Sequence, residues 1–172
     1  MDMHEKLKQA GFNPPQKPKK IDSKNANIKM KVEEVGRFLS CMEMYEDKLN
    51  GAPDEFTFRT IQNSIVLYYE KFCIGIKDIL DNIAKKENIT NISEHRGLGE
   101  LIRNTMSCFN LTPEVEQAVR RLTVRNNVAH DYMNAEYYDD IVLKHVTNDI
   151  SNYKLYLQCI KDYLIRNKMI NK

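Results

Sequence analysis

The sequence lacks tryptophan, and its few glycines are not arranged to bind phosphate. Six glycines occur in 172 residues, and none of them forms a GxGxxG or GxxxxGK motif. Those motifs let a backbone approach a phosphate group closely. A Rossmann or P-loop nucleotide site is therefore disfavoured.

Closely spaced cysteines and long apolar runs are also missing. The four cysteines, Cys41, Cys73, Cys108 and Cys159, form no CxxC pair, which argues against a zinc ribbon. Each cysteine lies in or beside an apolar stretch, and this predicts buried thiols in a reducing compartment.

No apolar run approaches the roughly 20 residues that span a bilayer, and no apolar stretch follows the N-terminus. We therefore expect a cytoplasmic chain without membrane contact.

Positive charge is concentrated in the first 20 residues. The whole chain has a net charge of +2, whereas residues 1–20 contain five lysines and two acidic residues, a net of +3. Residues 21–172 are therefore nearly neutral. Three prolines within residues 14–18 forbid a helix in that part of the arm and favour an extended, solvated segment, whereas residues 3–10 could form a short helix. We predict a flexible basic arm over 1–20 and a helical domain over 21–172, with Lys17, Lys19 and Lys20 as candidate RNA-binding residues.

Apolar residues recur at steps of three and four in three long segments, as in amphipathic helices. These segments run from about residue 28 to 49, 58 to 85 and 136 to 166. A shorter helix is predicted over residues 94–108. Strand-like alternation is absent. The sequence therefore predicts an all-α bundle of four to five main helices.

Capping residues mark the starts of two helices. Asp54 is a good N-cap for the second long helix. Thr112 offers a hydroxyl cap and is followed by proline and glutamate, which are favourable in a first turn. The second long helix also has an extra apolar flank, formed by Leu67, Ile74 and Ile76. That flank predicts a central position in the bundle.

The segment from Arg120 to Tyr132 differs from the solvated helix faces elsewhere. Its polar residues are interrupted by valines and an alanine, which should pull them against the bundle, where they need partners. On one helix Arg125 and His130 would lie about 140° apart around the axis and about 7.5 Å apart along it. Asn126 and His130, at i and i+4, would share a face. Either a helix kink or a second copy of the chain would be needed to close an Arg–His site.

Arginine together with histidine suits cleavage of a phosphodiester. An imidazole with a pKa of about 6.5 can take or give a proton at neutral pH. A guanidinium fits phosphate oxygens and stabilises charge that develops on them. RNA supplies its own nucleophile, the 2′-hydroxyl, so neither a metal nor a cofactor is needed. We predict catalytic roles for Arg125 and His130, an orienting role for Asn126, and RNA binding by Arg121.

This motif resembles that of the HEPN superfamily. Its ribonuclease members have an arginine, four to six residues, and then a histidine, and HepT-type toxins extend the pattern to R-x4-H-x-Y. Arg125, Asn126, His130 and Tyr132 fit that pattern, and the resemblance covers residues 24–166. It implies a HEPN-like helical homodimer that cleaves RNA to 2′,3′-cyclic phosphate ends, as the toxin of a toxin–antitoxin or defence system.

The resemblance also implies a protein partner. HepT-like toxins pair with a small nucleotidyltransferase antitoxin that adds AMP to the motif tyrosine, which is Tyr132 here. A bulky anion two residues from His130 would block the cleft. The basic arm is not part of the pattern, which leaves open an RNA-binding arm or a different branch with another partner.

Other interpretations of the same residues stay open at this point. His130 can be a structural histidine, Arg125 a partner in a bundle salt bridge, and Tyr132 a core or interface residue. The corresponding alternative is a non-catalytic dimeric HEPN module that binds nucleotide or serves a nucleotidyltransferase. A helical interaction protein without an active site is the third possibility.

Overall fold

The computed structural model describes residues 23–89, 97–122 and 135–171. Five α-helices follow in chain order: α1 (Ser23–Leu49), α2 (Glu55–Lys86), α3 (Leu98–Thr105), α4 (Pro113–Arg121) and α5 (Ala135–Arg166), with a short 3₁₀ helix (Met106–Cys108) after α3. Strands are absent from these three ranges. The predicted all-α bundle is therefore confirmed. The predicted arm over 1–20 lies outside the described residues.

Both predicted helix starts are confirmed by their caps. The Asp54 carboxylate accepts a hydrogen bond from the Thr57 backbone N–H at 2.7 Å. The Thr112 hydroxyl accepts one from the Val115 N–H at 3.5 Å, with Pro113 in the first turn. Each cap satisfies one N–H that the helix itself leaves without an acceptor.

Helix α2 lies at the centre of the bundle and packs against α1, α3 and α5. Of its predicted extra apolar flank, Ile76 is fully buried, as expected. Leu67 and Ile74 are instead 49% and 50% exposed, so the prediction was wrong for these two residues. Periodicity shows that a helix has an apolar stripe, but it does not show which side meets a neighbour. This side of α2 is not covered by the helices that the structure describes.

The contacts also give the directions of the long helices. Glu43 of α1 accepts from Lys154 of α5 at 2.5 Å, whereas Leu157 of α5 lies beside Gly36, earlier in α1. Helices α1 and α5 are therefore antiparallel. The short turn between α1 and α2 makes that pair antiparallel as well. The end of α1, the start of α2 and the first half of α5 thus lie at the same end of the bundle.

Only part of the cysteine prediction is correct. Cys73 is buried, whereas Cys41, Cys108 and Cys159 are partly exposed. All four thiols are free. Burial is the main cause that raises the pKa of the Cys108 and Cys159 thiols above its usual value, so both are held in the less reactive neutral form. Among the described helices, none is both long and apolar enough to cross a bilayer.

Candidate functional site

The predicted catalytic segment joins α4 to α5. Helix α4 ends at Arg121, the next residue, Leu122, is fully buried, and α5 begins at Ala135. The predicted site residues between these points lie outside the described residues: Arg125, Asn126, His130 and Tyr132. The same holds for the basic arm's Lys17, Lys19 and Lys20. The structure therefore describes the surroundings of the motif, and Arg121 is the one predicted site residue that it places.

Arg121 is bound to a buried carboxylate on α5. Its Nε donates to Asp149 Oδ2 at 2.7 Å, and its Nη2 donates to Asp149 Oδ1 at 2.6 Å. The Asp149 side chain is 3% exposed and that of Arg121 is 30% exposed. Hydrogen bonding to Asp149 raises the pKa of Arg121 above its ordinary value. Two parallel charge-assisted bonds of this kind fix the guanidinium in one orientation.

This ion pair holds the end of α4 against α5. Asp149 is 28 residues from Arg121 along the chain, so the pair fixes two elements relative to each other. Arg121 is also four residues before Arg125. Its predicted role in binding RNA stays a prediction, and two of its N–H groups already have Asp149 as their acceptor. The pair thus anchors the chain just before the motif begins.

Aromatic side chains lie next to the ion pair in the core. Tyr153, one turn after Asp149, is fully buried, and its ring packs against Phe72 with centroids 5.3 Å apart and against Tyr69 at 6.4 Å. Burial, followed by the nearby Asp149 charge, raises the pKa of Tyr153, so the phenol stays neutral. The ion pair therefore borders a rigid and largely apolar surrounding.

An open groove of about 510 Å³ lies between the end of α1 and the first half of α5. It is lined by Glu46, Leu49, Asn50, Leu143, Lys144, Thr147 and Asn148. Burial is the first cause that raises the pKa of Glu46, and the neighbouring Asp47 and Glu43 charges add to it. Since α5 begins only eight residues before Leu143, this groove is at the end of the bundle where the motif joins α5. We call that end, defined by Leu49, Leu122 and Ala135, the motif end.

Sequence analysis missed Asp149 and Tyr153 as parts of the surroundings of the site. A local signal for Asp149 does exist, because an acidic residue interrupts the apolar stripe formed by Val146, Ile150 and Tyr153. A buried carboxylate needs a cationic partner. Which arginine supplies it is a non-local fact that periodicity does not give.

No group of three or more metal-ligating side chains occurs in the described part of the chain. No family model, curated protein or solved structure matches this chain significantly. The candidate site thus has three parts: the sequence motif between α4 and α5, the Arg121–Asp149 anchor before it, and the polar groove at the motif end.

Proposed function

We propose that the protein is a metal-independent endoribonuclease of the HEPN type. The observation that carries the proposal is the R-x4-H-x-Y spacing of Arg125, His130 and Tyr132. Its position in a helical bundle, directly before a long final helix, supports it. So does the Arg121–Asp149 anchor, since a catalytic segment needs a rigid attachment to keep its geometry.

The proposed chemistry balances with protein groups alone. His130 takes the proton of the RNA 2′-hydroxyl, the 2′-oxygen attacks the adjacent phosphorus, and the bond from phosphorus to the 5′-oxygen breaks. The leaving 5′-oxygen takes a proton from the imidazolium so formed and becomes the 5′-hydroxyl of the downstream fragment, while the upstream fragment ends in a 2′,3′-cyclic phosphate. Arg125 stabilises the charge on the phosphate oxygens, and one such donor is worth about 100- to 1,000-fold in rate. Asn126 orients the imidazole or the substrate.

The deciding experiment is incubation of the purified protein with a labelled structured RNA in excess EDTA. We expect the wild type to cleave, leaving 2′,3′-cyclic phosphate ends, and His130→Ala to be at least about 100-fold slower. His145→Gln is the matched control, because His145 lies in α5, outside the motif and 15 residues after His130 in the sequence; it should cleave normally. DNA of the same sequence should stay intact because it lacks the 2′-hydroxyl.

Two outcomes would count against the proposal. Equal loss of cleavage in both histidine variants, together with a lower melting temperature, would assign His130 a structural role. Intact RNA from protein of unmodified mass would favour the non-catalytic HEPN module. The mass must be measured, because we further propose that a nucleotidyltransferase partner transfers AMP to Tyr132 and thereby inactivates the protein.

The assembly and setting of the enzyme are part of the same proposal. One helix does not bring Arg125 and His130 onto one face, so we propose a homodimer in which two motif segments share a cleft. The protein would act as a cytoplasmic toxin or defence effector. Sedimentation equilibrium tests the dimer, and an exclusively monomeric but active protein would rule out the shared cleft.

A further inference from the structure

A row of three aromatic rings lies on the outer side of the α1–α2 pair. The rings of Tyr45 and Tyr68 are nearly parallel, with centroids 5.9 Å apart. The Phe38 ring lies 6.2 Å from that of Tyr68. All three side chains are only half-buried. We call Phe38, Tyr45 and Tyr68 the aromatic row.

Two lysine ammonium groups lie over the aromatic row. Lys71 Nζ is 5.5 Å from the centroid of Tyr68 and 6.0 Å from that of Phe38. Lys48 Nζ is 5.8 Å from the centroid of Tyr45. Both lysines are exposed, and neither forms an ion pair with a carboxylate in the described ranges. Their charges are thus available to an anionic ligand.

We propose that the aromatic row and its two lysines bind the single-stranded part of an RNA substrate. This inference rests on the proposed function for the identity of the ligand. Unpaired bases stack on aromatic side chains whatever their sequence, and flanking cations take the phosphates. Bases in a duplex are stacked on one another and cannot use such a surface. The side chains of Leu67 and Ile74 are exposed and apolar, and they lie on the same side of α2 as Tyr68 and Lys71. They would give the bases additional apolar contacts.

The position of the row also fits an RNA that extends towards the motif end. Tyr45 and Lys48 lie in the last two turns of α1, which ends at the motif end. Phe38 is seven residues earlier, about 10.5 Å along the helix. A strand that lies along the row would therefore run from the middle of the bundle towards the motif end.

Acidic residues limit the proposed RNA site at the Phe38 end of the aromatic row. A groove of about 300 Å³ is shared between the two parts: Phe38, Lys71 and Ile74 line it on the side of the aromatic row, and Lys31, Glu34 and Asp78 line the rest. Lys31 Nζ is 2.5 Å from the Asp78 carboxylate, so its charge is already compensated. Glu34 would repel a phosphate. We therefore expect contact with only a few nucleotides, which is a short site for a single-stranded nucleic acid.

The test is a binding titration by fluorescence anisotropy with the full chain. The probe is a labelled single strand of about 12 nucleotides, made of 2′-O-methyl RNA, so that the proposed chemistry cannot cleave it. We expect Lys48→Gln and Lys71→Gln each to lower the slope of log affinity against log salt by about 0.7. Lys77→Gln, an exposed lysine elsewhere on α2, is the matched control and should keep the wild-type slope. Tyr68→Leu should weaken binding by at least about five-fold at an unchanged melting temperature.

The outcomes separate this inference from the ribonuclease proposal. Wild-type slopes and affinities in Lys48→Gln and Lys71→Gln would overturn the RNA surface, even if the protein cleaves RNA. A change in self-association in these variants without a change in RNA binding would instead identify the row as a contact between proteins. If RNA binds through these lysines and His130→Ala cleaves as fast as the wild type, the surface stands and the catalytic assignment fails.

Discussion

Asp149 is a single residue on which the attachment of the motif depends. Its carboxylate is 3% exposed, so folding removes it from water almost completely. The Arg121 guanidinium compensates that loss with two hydrogen bonds. Such a pair contributes little net stability relative to apolar residues, but removing one partner leaves a buried charge without compensation. The fixed position of α4 against α5 is therefore sensitive to either residue.

We expect Arg121→Met to lower the free energy of unfolding by about 2–4 kcal/mol, because it leaves the Asp149 carboxylate buried and unpaired. Urea denaturation measures this loss. Lys154→Met is the matched control: Lys154 of α5 binds Glu43 of α1 at 2.5 Å with both side chains exposed, and such a pair is worth at most about 1 kcal/mol.

A double variant separates the ion pair from the shape of the site. Arg121→Met with Asp149→Leu should recover most of the stability that Arg121→Met loses, since an apolar pair of similar volume replaces the charges. RNA cleavage by this double variant then shows whether the charged pair itself is needed for activity, because the stability of the fold is restored. If the double variant is no more stable than Arg121→Met, desolvation of Asp149 is not the cause of the loss.

At the scale of helices, sequence analysis succeeds where the cause is local. Asp54 and Thr112 act within three residues of themselves, so their caps could be predicted from neighbouring residues. Leu67 and Ile74 have the same periodicity as buried residues, and only the placement of the neighbouring helices leaves them exposed. Asp149 needed a partner 28 residues away. Local chemistry is thus readable from the sequence, and pairing between elements is not.

Helices α2 and α5 end with the same backbone motif. Asn88 after α2 and Lys168 after α5 have positive φ values of 51° and 56°. In each case the following N–H bonds back to the last turn: Ile89 N to Ala84 O at 3.0 Å, and Met169 N to Leu164 O at 2.8 Å. This is a Schellman ending, whose left-handed residue is usually glycine.

Lys168→Gly should therefore stabilise the protein by up to about 1 kcal/mol, because lysine has a steric penalty in the left-handed region that glycine lacks. The midpoint of thermal unfolding measures the gain. Asn88→Gly is the comparison, and we expect a smaller gain because asparagine tolerates this conformation better. A destabilised Lys168→Gly variant would mean that the lysine side chain contributes more than its backbone conformation costs.

On the scale of the whole molecule, the arrangement of α1 on α2 determines both the core and the aromatic row. Val35 of α1 lies directly against Gly75 of α2. A Cβ atom at Gly75 would be 2.4 Å from Val35 Cγ2, so one helix must shift if a side chain is added. Gly75 also lines the same groove as Phe38. A change at this crossing would therefore alter the core and the proposed RNA surface together.

Gly75→Ala should lower the free energy of unfolding by about 1–3 kcal/mol, because Val35 is 1% exposed and has no free space to move into. In a Val35→Ala background the same change should be neutral or stabilising by up to about 1 kcal/mol, since alanine favours a helix and the clashing methyl is gone. Gly36→Ala is the matched control: its Cβ would be 3.7 Å from Leu157 Cδ2, an ordinary contact, so this change should not destabilise the protein.

A full double-mutant cycle by urea denaturation measures the coupling between positions 35 and 75. Additive effects of Gly75→Ala and Val35→Ala would show that the added methyl group at position 75 does not clash with Val35. Other contacts between α1 and α2 would then have to position the aromatic row.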